Sequence, residues 1–121
     1  MYFIKFISGN NAYRIKINEL AIFDSELNKH VETINVFCKG WTNATRDKIE
    51  YKSKLLFDIL AKDYTLSKEH RVSRAMSYWW IKHKAFETLE EAKAFAQSLA
   101  TEILEKADAK IAYELEQEIL D

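Results

Sequence analysis

The sequence predicts an α+β fold: a small, mostly antiparallel sheet of about four strands, one short helix and one long C-terminal helix, in a single domain. Three observations carry that expectation. Runs of β-formers alternate with Gly-, Asn- and Asp-containing turns over residues 2–40. A ladder of alternating charges at helical spacing follows over 45–63, and 88–120 is one uninterrupted helical pattern without proline or glycine. With 121 residues, 48% hydrophobic and 31% charged, the chain can bury one modest core.

Tyr2–Ile7 and Ala12–Ile17 are the first two strands, with Ser8-Gly9-Asn10-Asn11 as their turn, because Gly and Asn tolerate positive φ. The second run sets Tyr13, Ile15 and Ile17 on one side and Arg14, Lys16 and Asn18 on the other. Glu19–His30 is ambiguous: Leu20–Phe23 can extend that strand, and Asp24–Asn28 reads as a loop or one helical turn. Val31–Cys38 reads as a third strand, closed by Gly40. From Thr45 to Asp63, the ladder Glu50, Lys54, Asp58, Lys62 makes one solvated helix face. Ile49, Leu56, Ile59 and Leu60 oppose it and face the core.

Ser67–Phe86 supports two assignments. As a helix, Val72, Ala75, Met76, Trp79, Trp80 and His83 form an apolar stripe. As a strand, Tyr78-Trp79-Trp80-Ile81 is a run of β-formers. The next element decides. Thr88 and Glu91 make a capping box that starts a helix directly after Phe86, and a strand enters so short a connection more readily than a helix does. The strand is placed at about Tyr78–Phe86.

In the long helix, Leu89, Ala92, Ala96, Leu99 and Ile103 hold one face. Beyond them Ala107, Ile111, Leu115 and Ile119 come every four residues, and each such step overshoots a full turn by roughly 40°. The stripe therefore walks around the helix. At about 1.5 Å per residue the element also outruns the roughly 35 Å diameter of a domain this size. Either it bends near Ala107-Asp108, or its last turns project as an arm that docks a partner or pairs with a second copy.

Catalytic chemistry finds little support. Gly9 and Gly40 match no phosphate-binding pattern, and His30, His70 and His83 lack the spacing of metal ligands. Cys38, the lone cysteine, reads as a buried small hydrophobe and implies a reducing compartment. The expectation is a non-enzyme with no metal or other cofactor. No apolar stretch approaches a membrane span and the start lacks a signal-peptide layout, so no membrane partner and a cytoplasmic address are expected.

Charge is the remaining signal. The chain has a net charge of −1, but residues 85–121 hold ten acids against Lys93, Lys106 and Lys110, and the excess cations lie before them. Two partner-binding features follow. One is the basic segment 39–84, in which Tyr78, Trp80, Lys82 and Lys84 would share a strand face and suit stacked bases and phosphates. If that stretch is helical, Arg71, Arg74, Tyr78 and Lys82 share a face instead. The other is the acidic helix, with Glu105, Asp108, Glu114, Glu116 and Glu118 available to a basic partner surface.

In length, absence of catalytic motifs and uneven charge, the chain resembles the small inhibitors encoded by phages and mobile elements, the anti-CRISPR and other anti-defence proteins. The resemblance is one of type, without shared motif residues. It implies a protein-binding inhibitor that blocks a host complex through the acidic helix and exposed aromatics. A nucleic-acid-binding protein using segment 39–84, an immunity protein neutralising a cognate toxin and a homodimer through the C-terminal helix are the other readings.

Overall fold

Asn11, rather than Gly9, makes the first turn. Its Oδ1 accepts hydrogen bonds from the N–H groups of Tyr13 and Ile15, at 2.9 and 3.0 Å, and Arg14 takes a φ of 60°. The first strand, β1 (Tyr2–Asn10), therefore takes in residues 8–10 of the expected turn, and β2 (Ile15–Asp24) begins after the turn that Asn11 opens. Tyr13, assigned from the alternation to the second strand, sits in the turn and is 84% exposed. Gly9 serves close approach instead. A Cβ there would fall on the carbonyl oxygen of Ala75 and 2.7 Å from the Cα of Met76.

Leu20–Phe23 does extend β2. Asp24 ends it by accepting from the N–H groups of Glu26 and Leu27, and Asn28 supplies a φ of 55° before β3 (Lys29–Gly40). Then follow α1 (Arg46–Asp63), β4 (Leu66–Lys68), β5 (Met76–Phe86) and α2 (Leu89–Leu120). The computed structural model describes residues 1–69 and 75–120. Arg71 and Arg74, which the helical alternative used, lie outside them. Met76–Phe86 is a strand, as the capping argument requires. The sheet is antiparallel throughout, in the order β3-β2-β1-β5-β4. Its fifth strand is the three-residue β4, too short to leave a periodic signal.

Both helices pack on one face of the sheet. Ile4, Phe6, Leu20, Ile22 and Ile81 meet Leu55, Leu56 and Leu60 of α1 and the α2 stripe in one buried cluster. Thr88 caps α2 by accepting the Glu91 N–H at 3.2 Å, and its hydroxyl donates to the Glu91 carboxylate at 3.1 Å. Ala92, Ala96 and Ala107 are fully buried, and their small side chains let α2 lie close over the strands. The helix crosses from β5, where Phe95 meets Phe86 at 5.1 Å, to the end of β3 and the start of α1.

α2 continues through Ala107-Asp108 to Leu120 without interruption. The drift of its apolar stripe resolves the length problem: Ala107 is buried, Ile111 half-buried, Leu115 54% exposed and Ile119 84% exposed. Cys38 corrects another expectation. It is exposed, because an irregularity in the β2–β3 pairing turns both Val36 and Phe37 into the core and leaves Cys38 outward.

Candidate functional site

No helix among the described residues covers the other face of the sheet. It carries Phe3 and Lys5 from β1, Phe23 from β2, His30 from β3, and Tyr78 and Trp80 from β5. Register makes them neighbours: Lys5 pairs with Ala21 on one side and Trp80 on the other, and Phe23 pairs with His30. The rings lean together above the strands. Trp80 meets Phe23 edge-on at 5.1 Å and Phe3 at 6.3 Å, while His30 meets Phe23 at 6.0 Å and Tyr78 at 5.9 Å. The His30–Tyr78 contact closes an arch from β3 to β5, over the two strands between them.

Lys5 stands beneath that arch at 3% exposure. Its ammonium lies 4.2 Å from the centre of the Trp80 ring, 4.7 Å from Phe23 and 5.8 Å from Tyr78, facing their π clouds. Glu69, just past β4, closes the remaining side, with carboxylate oxygens 2.9 and 3.1 Å from Nζ. A lysine so enclosed is tolerable only because carboxylate and rings together replace its water. The result is a half-buried aromatic surface pinned from below by one ion pair.

Burial and the nearby Lys5 ammonium hold the His30 pKa below its usual 6.5, with Glu69 opposing them weakly. The folded state thus takes up His30's proton at lower pH than the unfolded chain. Its contribution to stability is complete above pH 6.5 and is lost as pH falls from there toward the depressed folded value. Denaturation midpoints measured between pH 7.5 and about 5 should fall in the native protein, and His30→Phe should flatten that slope.

The residues expected from the sequence divide between two sides of the molecule. Tyr78 and Trp80 belong to the arch, while Trp79 points under the helices, its ring 4.8 Å from Phe57. Lys82 is exposed, but Lys84 does not share their face. Between the pairs Lys5–Trp80 and Phe3–Ala85 the strands fall out of step, with His83 at a φ of 65°. That bulge resets the alternation and sends Lys84 toward the helices, 5.5 Å from the Phe95 ring and 5.8 Å from Tyr64.

The acidic residues lie across the sheet on α2. Asp108 pairs with Lys52 at 2.6 Å, and Glu114 accepts the Tyr51 hydroxyl proton at 2.7 Å, so part of the helix charge is used within the fold. Glu105, Glu116 and Glu118 are exposed and have no ion-pair partner among the described residues. Sequence reasoning missed Phe3, Lys5, Phe23, His30 and Glu69. One signal was present: Lys5 is the only charge in Tyr2–Ile7, a strand apolar on both faces. Among the described residues no three His, Cys, Asp or Glu side chains converge as a metal site would require, and no helix is long and apolar enough to cross a membrane. Comparison of the chain with protein-family models, with curated proteins and with solved structures finds no match.

Proposed function

We propose that this chain is a non-enzymatic protein-binding module of the inhibitor type, and that it engages its partner through the aromatic face of the sheet. One observation carries the reading: five aromatic side chains gathered across four strands, half-buried and held by Lys5 and Glu69. Tyr and Trp are the residues that dominate protein interfaces, and rings already locked in place lose little entropy on docking. Base stacking is less well served. Trp80 and Phe23 lie with their faces toward Lys5 and meet each other at a right angle, and Lys84 and Lys52 are engaged elsewhere. Exposed carboxylates on α2 lie on the opposite side, where they steer encounter rather than join the contact. Blocking a host complex and neutralising a cognate toxin would use this same face and differ only in the partner.

A photo-crosslinking residue at Thr33, which is exposed on β3 beside Ala21, tests the assignment against one at Ser98 on the outer side of α2. In the cells that carry the protein, the expected result is one protein adduct from position 33 and none from position 98. Tyr78→Ala should weaken its capture by at least about tenfold. A nuclease-sensitive adduct would transfer the face to nucleic acid, and equal labelling at both positions would remove it as a site.

A further inference from the structure

The far side of the molecule holds a second feature, independent of the aromatic face. A groove of about 830 Å³ runs between the end of β3, the first half of α1 and the distal part of α2. Its floor is apolar, formed by Phe37, Ile49, Ile111 and Leu115. Its walls differ in sign. Lys39 and Lys48 stand on the body side, and Glu118 stands on the α2 side. The nearer charges are already satisfied, Lys52 by Asp108 and Glu114 by the Tyr51 hydroxyl. Lys39, Lys48, Glu116 and Glu118 have no ion-pair partner among the described residues.

The apolar stripe leaves the groove along the same helix. Leu115 borders it at 54% exposure and Ile119 continues the drift at 84%. An occupant must therefore bring apolar side chains for the floor, carboxylates for Lys39 and Lys48, and a basic strip for Glu116 and Glu118. The distal α2 and groove of another copy supply all three at once. A two-fold axis requires such a self-complementary patch, with each acidic helix end lying over the other copy's lysines.

We propose that this surface joins two copies of the chain, with the distal turns of α2 pairing antiparallel across the axis so that Leu115 and Ile119 of one copy extend the floor of the other's groove. Sedimentation equilibrium of the full chain should show dimers at about 10 µM, and Leu115→Glu with Ile119→Glu should raise the dissociation constant by at least about a hundredfold. Both side chains are exposed, so the variant keeps its fold and its circular dichroism. A charge exchange supplies the specific readout. The Lys39→Glu, Lys48→Glu chain and the Glu116→Lys, Glu118→Lys chain should each dimerise weakly alone. Mixed, they should form a heterodimer, since one axis-related contact then keeps the native pairing and the other carries the same pairing in reversed sense. A monomer up to about 100 µM, or a dimer indifferent to Leu115→Glu and to the charge exchange, would overturn the proposal.

Discussion

Gly9→Ala is expected to destabilise the protein by more than about 3 kcal/mol, an unusually large cost for one methyl group. The new Cβ would fall on the Ala75 carbonyl oxygen, 2.6 Å from the Met76 sulfur and 2.7 Å from the Met76 Cα. Two of those atoms are backbone, so no side-chain rotation relieves the clash. Relief requires β5 to move away from β1, which breaks the neighbouring pairs Gly9–Met76 and Ser8–Ser77. Tyr78 and Trp80 ride on that strand, so the aromatic face should loosen with it. Chemical denaturation reads the stability, and tryptophan emission shifted to longer wavelength reads the loosening. Gly40→Ala is the control: its Cβ would meet only an Ile15 carbon at 3.9 Å, and the cost should stay within about 1 kcal/mol. Equal effects of the two substitutions would mean that close approach is not what Gly9 provides.

The second large effect concerns the charge under the arch. Glu69→Ala should cost about 3 kcal/mol, because it leaves the Lys5 ammonium enclosed at 4% side-chain exposure without its carboxylate. The opposite deletion should be milder. Lys5→Met keeps the volume and the contacts with Trp80 and Phe23, and the Glu69 side chain, 28% exposed, can turn toward water. A loss within about 1.5 kcal/mol is expected for Lys5→Met alone. The pair should be strongly non-additive: Lys5→Met should rescue most of the Glu69→Ala loss, as a double-mutant cycle by urea denaturation would measure. Additive losses would show that the ammonium is held by the rings alone.

Much of the fold was legible because its signals are local. The α1 charge ladder and the Thr88–Glu91 cap depend on residues three and four apart, and both helices start within a residue of where those patterns place them. The strand character of Met76–Phe86 followed from the same cap, one element downstream. Even the drift of the α2 stripe was readable, since the angle between successive turns does not depend on what the helix packs against.

The site was harder to read, since it is assembled at long range. Lys5 and Glu69 are 64 residues apart in the chain, and the arch draws on four strands. Alternation says that neighbouring side chains point oppositely, but it does not say which face the helices cover. It also fails at a bulge, which is why Lys84 parted from Tyr78 and Trp80. Cys38 and Tyr13 departed from their expected places for related reasons, an irregular pairing in one case and a side-chain-capped turn in the other.

Composition and short-range pattern were thus sufficient for the class of fold, the two helices and the uneven distribution of charge, because each rests on neighbours along the chain. Packing in three dimensions alone could place a lysine against the faces of three rings and cancel Asp108 against Lys52. It also left Leu115 and Ile119 exposed on the distal turns of α2. Those outcomes depend on register and on the relative placement of elements, which a one-dimensional pattern does not encode.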